Sequence, residues 1–416
     1  MNFFALLSIC LLSFFGTSAF SRTLEVCAHC DLQTIRSALH KAQDGDLILV
    51  KAGEYKEETL TITKSISLIG ETGATIFHLG EGDTILIQAP NTTVKGFKTV
   101  GSGKSTYHDY ASIKVSNTSG CLIADNQIVD SQYGIMIANS SACSVSGNNI
   151  TTNSVPAGLL GDGIHLWKTT HMRLTKNTVH GHRDGIYLEF TEAGEIFDNT
   201  IRGNQRYGLH FMFSNDNTFR NNTFSGNDAG VAVMYSKRVK MLNNEYADNK
   251  GSASFGLLLK DISDSEIVGN EFLRNTVAIF MEGSNRNNIH SNRFDKNGWA
   301  IRLLSSCDSN LFQGNAFLDN TLEVATNSQT NLNTFKGNYW AHHQNVDLNQ
   351  DGIVDLPYQP TSFSSYLLEK YNLSILLVGT PILKFLDWAE QMFPAISPVS
   401  LRDPEPLMPH LSRGNK

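Results

Sequence analysis

The chain has 416 residues, 41% of them hydrophobic, with 40 acidic against 33 basic side chains and a formal net charge of −7. No block of clustered Lys and Arg is present, which excludes nucleic acid as a partner, because phosphate backbones are held by concentrated positive charge. The length suffices to bury one long continuous core, so several domains are not required.

The first element in the chain is a leader. Phe3–Phe15 is a short apolar run, and Thr17-Ser18-Ala19 supplies the small residues of a secretory cleavage site before Phe20. The run is too short to span a bilayer, so residues 1–19 are expected to act as a signal peptide cleaved near Ala19. Of the six cysteines, Cys10 leaves with the leader, and an odd number remains. Cys27-Ala28-His29-Cys30 has the spacing of a metal or redox pair, but near the start of an exported chain a structural disulfide between Cys27 and Cys30 is favoured.

Residues 20–120 read as an N-terminal cap and the first turns of a repeat. Asp31–Gln43 has the pattern of an amphipathic helix with Ile35, Leu39 and Ala42 on one face, stopped by Asp44-Gly45-Asp46. Strands are expected at Leu47–Val50, Thr59–Ile62 and Ser65–Ile69, with a turn at Gly53-Glu54-Tyr55. A helix here would cover the exposed end of a stack of strands, which is otherwise a sticky edge.

Residues 121–345 repeat. An Asn followed two residues later by a large apolar residue returns mostly every 22 or 23 positions: Asn126/Ile128, Asn148/Ile150, Asn177/Val179, Asn199/Ile201, Asn222/Phe224, Asn244/Tyr246, Asn270/Phe272, Asn292/Phe294, Asn315/Phe317 and Asn338/Trp340. A second marker stays in phase, from Gly134-Ile135 through Gly163-Ile164, Gly185-Ile186, Gly208-Leu209 and Gly230-Val231 to Ala300-Ile301. Runs of three to five residues alternating apolar and polar lie between turn formers. A unit of about 22 residues built this way suits one turn of a parallel β-helix and is too short for a helix pair. The fold class is therefore all-β, a right-handed parallel β-helix solenoid with an N-terminal capping helix and a short C-terminal helical tail.

Stacked turns lie about 4.8 Å apart, so equivalent residues form columns. Asn columns can then pair with one another and with corner backbone groups. Cys121 and Cys143 fall in one column on adjacent turns, where small buried spacers are favoured over a bridge. Two turns are long, around Thr152–Leu160 and Lys250–Ala253, and insertions in repeat proteins map to loops on one face.

If the residue after each Gly points inward, alternation sends two columns outward. One holds His165, Tyr187, His210, Ala232, Leu258, Phe280 and Arg302; the other holds Trp167, Glu189, Met212, Met234, Lys260, Glu282 and Leu304. Contiguous apolar surface on a solvent-facing sheet marks a contact site, so Trp167, Tyr187, Glu189, Leu258 and Phe280 are candidate partner contacts. Thioether plus imidazole is the ligand set that suits Cu(I), which makes His165, His210, Met212 and Met234 candidate copper ligands. A metal-free partner stripe is the competing reading, since Met is also common at adaptable interfaces. His171, His180 and His182 add to the histidine content of this stretch.

Residues 346–360 form an acidic loop. Asp347, Asn349, Asp351, Gly352, the Ile353 carbonyl and Asp355 match the first part of an EF-type calcium loop, but Tyr358 stands where its bidentate acid belongs. A truncated structural calcium site or a polar turn are the two readings. In residues 361–416, Tyr366–Leu377 and Ile382–Phe393 read as apolar helices split by Gly379-Thr380-Pro381. Lys370, Lys384, Asp387 and Glu390 make them poor membrane spans. The Pro-rich tail, with Pro394, Pro398, Pro404, Pro406 and Pro409, is expected to be extended.

The order helix, Gly-Asp, strand, Gly-x-Tyr resembles the opening of pectin-lyase-like right-handed β-helices. Gly161-Asp162-Gly163-Ile164-His165-Leu166-Trp167, His182-Arg183-Asp184-Gly185-Ile186-Tyr187-Leu188-Glu189-Phe190, Tyr207-Gly208-Leu209-His210-Phe211-Met212, Gly230-Val231-Ala232-Val233-Met234-Tyr235 and Asn338-Tyr339-Trp340 resemble the NosD family more closely. The likeness extends over nearly the whole mature chain. It implies a periplasmic, non-enzymatic part of an ABC-type complex with a membrane permease and an ATPase. That complex matures nitrous oxide reductase by supporting assembly of its copper–sulfide centre, with a copper chaperone as a further partner. It also implies copper handling or docking by the His/Met stripe and permease docking by the C-terminal helices. The rival class is a polysaccharide lyase or epimerase, which needs convergent acids or a base with Lys or Arg. Here His165, Tyr187, Glu189 and His210 would have to supply it.

Overall fold

The computed structural model describes residues 22–251, 254–328, 332–344, 346–370, 380–393 and 401–409. The leader and its cleavage site lie outside the described residues. Each turn contributes three short strands, for example Leu122–Ala124, Gln127–Val129 and Tyr133–Ala138. These build three parallel sheets of 14, 12 and 13 strands. Every strand pairs with its counterpart one turn later, so that Ile123 faces Val145, Ile128 faces Ile150 and Ile135 faces Ile164.

Register turns the sequence repeat into a core. Ile135, Ile164, Ile186, Leu209, Val231, Leu257 and Ile279 are successive fully buried members of one column. Burying each such side chain stabilises the fold by roughly 1.5–3 kcal/mol relative to leaving it in water. Toward the C-terminus the column that follows the Asn becomes aromatic. Phe224, Tyr246, Phe272, Phe294, Phe317 and Trp340 stack with successive ring centroids 4.1 to 5.5 Å apart.

The Asn column is a continuous hydrogen-bonded ladder. The Asn222 Oδ1 accepts from both the backbone N and the Nδ2 of Asn199, while its Nδ2 donates to Ile196 O and to Asn244 Oδ1. The same pattern runs from Asn126 to Asn338, so buried amides at the corner are all satisfied. A second ladder, five residues further on in each turn, joins Asn204, Asn227, Asn249, Asn275, Asn297 and Asn320.

Both ends are closed by non-repeating chain. Helix α1 spans Ile35–Lys41, shorter than the expected Asp31–Gln43. The preceding residues form a turn tied by the Cys27–Cys30 disulfide and by pairing of Val26 with Leu32. Thr34 then caps the helix by accepting from Ser37 N at 3.2 Å, and buried Glu57 accepts from Ile35 N, an acid placed at the positive end of the helix. The expected turn at Gly53–Tyr55 is instead the start of the strand Gly53–Glu57, because Tyr55 and Glu57 alternate inward. At the other end α2 (Phe363–Lys370) packs on the last strand of the 12-stranded sheet, with Glu369 paired to Arg302 at 2.9 Å. It starts before the expected Tyr366, and residues 371–379 lie outside the described residues. Helix α3 spans Pro381–Met392. Among the described residues no helix is long and apolar enough to cross a membrane.

Residues 401–409 return to the solenoid. Asp403 is fully buried and takes the place of the next Asn in the first ladder. Its carboxylate accepts from Asn338 N and Nδ2, Gly337 N and Trp340 Nε1 at 2.9–3.1 Å. The acidic loop holds this segment through paired backbone bonds between Tyr358 and Asp403 and through single bonds from Met408 N to Gly352 O and from Val354 N to Pro406 O.

Candidate functional site

The 12-stranded sheet carries both outward columns. Parallel register places His165 beside Tyr187, Tyr187 beside His210, His210 beside Ala232, and Ala232 beside Leu258. In the second column Trp167, Glu189, Met212, Met234 and Lys260 follow one another. Leu166, Leu188, Phe211 and Val233 between them are fully buried in the core, which fixes the alternate residues on the outer face.

Outward direction does not mean exposure. His165, His210 and Leu258 are buried, and Ala232 is completely covered, contrary to the expected open stripe. Large neighbours cover them. Tyr187 stands between the two imidazoles with ring centroids 4.7 and 4.6 Å away, Tyr133 approaches His165, and Tyr207 lies 4.8 Å from His210. Phe280 packs on Phe255 with Arg302 against its ring. Trp167, Glu189, Met212 and Met234 are half-buried, with the Lys168 ammonium over the Trp167 ring.

Two fully buried carboxylates lie under this face. Asp162 and Asp184 each stand two residues before the first inward residue of their turns, the place of Tyr133 and Tyr207 in the flanking turns. Arg183 grips Asp162 through Nε and Nη2, both at 3.2 Å. Arg206 grips Asp184 in the same bidentate way. Asp184 Oδ2 also lies 3.1 Å from His210 Nδ1. Asp162 Oδ2 approaches His165 Nδ1 to 3.3 Å, but without hydrogen-bond alignment, and neither ring nitrogen of His165 has a hydrogen-bond partner. His165 Nε2 is 4.0 Å from Glu189 Oε2. The His210 Nε2 is buried and unpartnered.

The electrostatics follow from burial. Asp162 is raised above its ordinary value by burial and by neighbouring Asp184. Burial pushes Asp184 the same way, but hydrogen bonds from Arg206 and His210 outweigh it and hold that carboxyl below its ordinary value. Burial pulls His165 down to about 4, so its imidazole is neutral and available as a ligand at neutral pH. Tyr187 is raised to about 12 by burial and by Glu189.

These donors fit a soft cation in part. Met212 and Met234 are register neighbours, and His210 shares a strand and a face with Met212. Imidazole nitrogen with two thioethers is a Cu(I) donor set. His165 and His210 are two turns apart, about 10 Å by strand spacing, with Tyr187 between them, so they do not share one ion.

The other candidates sort as follows. Cys27 and Cys30 are disulfide-bonded with Cα atoms 5.0 Å apart. Cys121, Cys143 and Cys307 are free and buried, and Cys121 N donates to Cys143 Sγ. In the acidic loop Asp347 accepts from Gln350 N and Gly352 N, Asp351 from Ile353 N and Asn349 Nδ2, and Asp355 from Leu348 N. Its acids are turned onto the loop itself, and among the described residues no three His, Cys, Asp or Glu side chains converge as a metal cluster. The calcium reading for Asp347, Asn349, Asp351, Ile353 and Asp355 gains no support, and the loop's contacts serve the C-terminal tail. His171 is exposed, whereas His182 is wholly buried with both ring nitrogens unpartnered.

Sequence reasoning missed two features of this face. One is the Asp162/Asp184 pair, legible in the Asp-Gly-Ile-His and Asp-Gly-Ile-Tyr tetrads that recur in phase. The other is an aromatic file beside the Met column. Phe190, Phe213 and Tyr235 stack at 5.4 and 5.1 Å, stand at least 40% exposed, and all have φ near +50°. Bulky residues avoid this left-handed region, and the same corner elsewhere holds Asn117, Asn139, Lys168 and Asp261.

Residues 152–345, which contain this face, match the family model described as periplasmic copper-binding protein (NosD). A protein of Stutzerimonas stutzeri named as a probable ABC transporter binding protein NosD is 30% identical over 377 residues, 86% of this chain and 85% of its own. Its namesake in Pseudomonas aeruginosa is 28% identical over 376 residues, covering 86% and 87%. Among solved structures, the catalytic domain of a GH87 alpha-1,3-glucanase in complex with nigerose superposes with a TM-score of 0.61 at 11% identity, over 77% of this chain and 69% of that one, a likeness of fold alone. Being 30% identical to a NosD protein over 86% of its own length and 85% of that relative's, the chain belongs to the NosD family.

Proposed function

We propose that the protein is a periplasmic, non-enzymatic component of an ABC-type complex that relays copper for maturation of nitrous oxide reductase, where a copper–sulfide centre is assembled. Copper is its cargo, received from a copper chaperone and passed toward the reductase, with a membrane permease and an ATPase as partners. The observation that carries this reading is the register of Met212 with Met234 beside the unpartnered His210 Nε2. His165 and Glu189 form a separate pair of donors one to two turns away. Trp167, Tyr187 and Phe280, extended by Phe190, Phe213 and Tyr235, supply the partner-facing surface; Leu258, being buried, drops out of it.

Anaerobic Cu(I) titration of the mature chain against a chromophoric chelator tests the proposal. Tight uptake is expected, weakened at least tenfold in the Met212→Ala/Met234→Ala double variant. A metal-free docking scaffold is the second reading, favoured by the exposed Phe190–Phe213–Tyr235 file. Absence of uptake, or uptake indifferent to both methionines, selects it.

A further inference from the structure

His210 differs from every other histidine of the face in having an anchored carboxylate on one ring nitrogen and nothing on the other. Asp184 is wholly inaccessible, and Arg206 fastens both of its oxygens. The backbone N of Tyr207 donates to Oδ1, and His210 Nδ1 lies 3.1 Å from Oδ2. Arg206 Nη2 also reaches 3.5 Å from His210 Nδ1, but it already serves Asp184. The carboxylate is the stronger acceptor for the Nδ1 proton. With that proton held on Nδ1, the lone pair is on Nε2, the atom left buried without a partner.

We propose that Asp184, fastened by Arg206, is a positioning residue that fixes His210 as its Nδ1–H tautomer and so presents Nε2, on the face that carries Met212 and Met234, as the nitrogen donor for a soft cation. Carboxylate–histidine pairs orient ligands and raise their basicity in this way. The choice of Cu(I) as that cation rests on the functional reading above; the tautomer does not. His165 is the internal contrast, because Asp162 misses alignment with its Nδ1 and its ring is not fixed.

Asp184→Asn is the discriminating variant. An amide nitrogen at the Oδ1 site would face two donors, Arg206 Nε and Tyr207 N, whereas at the Oδ2 site it faces only Arg206 Nη2 and can donate to His210 Nδ1. The proton of His210 is therefore driven to Nε2. Two-bond ¹⁵N–¹H correlation spectra of the metal-free, histidine-labelled full chain report the tautomer directly. The wild type should show His210 as Nδ1–H, and Asp184→Asn should show Nε2–H with Cu(I) affinity reduced about 10- to 100-fold. An Nε2–H tautomer in the wild type overturns the proposal even if the variant fails to fold. So does an unchanged Cu(I) affinity in a folded variant whose tautomer has switched. A wild type with the Nδ1–H tautomer that takes up no Cu(I) overturns the copper reading, and positioning by Asp184 then stands on the switch to Nε2–H in Asp184→Asn.

Discussion

His182 occupies the position that Asn204, Asn227 and Asn249 fill on the following turns, and its backbone N donates to Asn204 Oδ1. Its own ring has no partner, and burial pulls its pKa from 6.5 down to about 4. The unfolded chain therefore binds the proton that the folded chain refuses between these values. Stability is full above pH 6.5, falls as the pH drops toward 4, and levels off below that. His182→Asn should extend the ladder by one member and remove this acid sensitivity. The difference between the variant's stability and the wild type's should rise by up to about 3 kcal/mol between pH 7 and pH 4, at about 1.4 kcal/mol per unit. Urea melts at several pH values measure it, and parallel pH profiles for the two proteins would refute the role of the ring. Phe190, Phe213 and Tyr235 break a local backbone rule on three consecutive turns, and such departures concentrate where function constrains the chain.

Among the elements, the asparagine ladder is the device whose failure is easiest to forecast. Asn222→Ala strips the acceptor from the buried backbone N of Asn199 and one donor from Ile196 O, while Asn199 Nδ2 keeps Leu174 O and Phe197 O. A stranded buried donor costs about 1–3 kcal/mol, so a loss of that size is expected in chemical denaturation, and a loss below about 0.5 kcal/mol would show that the ladder relaxes. The tail closes this ladder with Asp403. Asp403→Ala should release residues 401–409 and lower amide exchange protection at Gly337 and Asn338. Unchanged protection there would mean that the tail does not hold the last turn.

The ladder's period was legible because one structural demand recurs every turn and only Asn meets it, with a donor and an acceptor on one short side chain. The phase of the outward columns was legible for the same reason, through the Gly before each inward residue. Burial of His165 and His210 was not, because their cover comes from Tyr133 and Tyr207, which precede the alternating run and lie outside its two-residue period. The contacts of Asp162 and Asp184 were equally hidden, since Asp184 meets His210 across 26 residues. Asp403 reaches Asn338 across 65. Nothing in a local pattern announces such a return.

At the scale of the whole molecule, the 12-stranded sheet joins the parts. Its outer face carries the histidine–methionine columns in the middle turns and receives α2 at its C-terminal end, where Glu369 pairs with Arg302 of the penultimate strand. Phe363 N donates to Glu390 of α3, linking the two helices. Ile382, Phe385, Trp388 and Met392 of α3 are each more than half exposed and recur at helical spacing. As the permease contact that the family resemblance implies for the C-terminal helices, this stripe should be separable from the fold. Replacing Phe385 and Trp388 by Ser should leave the melting temperature within about 2 °C, since exposed side chains contribute little to stability, yet abolish co-purification with the permease and ATPase. Retained co-purification would place the contact elsewhere.

On the proposed reading, Cu(I) sits on the outward face beside Met212, Met234 and His210. Copper K-edge X-ray absorption of the Cu(I)-loaded mature chain tests it most directly, because thioether sulfur, imidazole nitrogen and thiolate sulfur give distinguishable shells. The expected spectrum contains thioether sulfur with one imidazole, and the sulfur contribution disappears in the Met212→Ala/Met234→Ala variant. A thiolate shell from Cys121, Cys143 or Cys307, or a sulfur shell that survives the double substitution, would contradict the assignment of the outward face as the copper site.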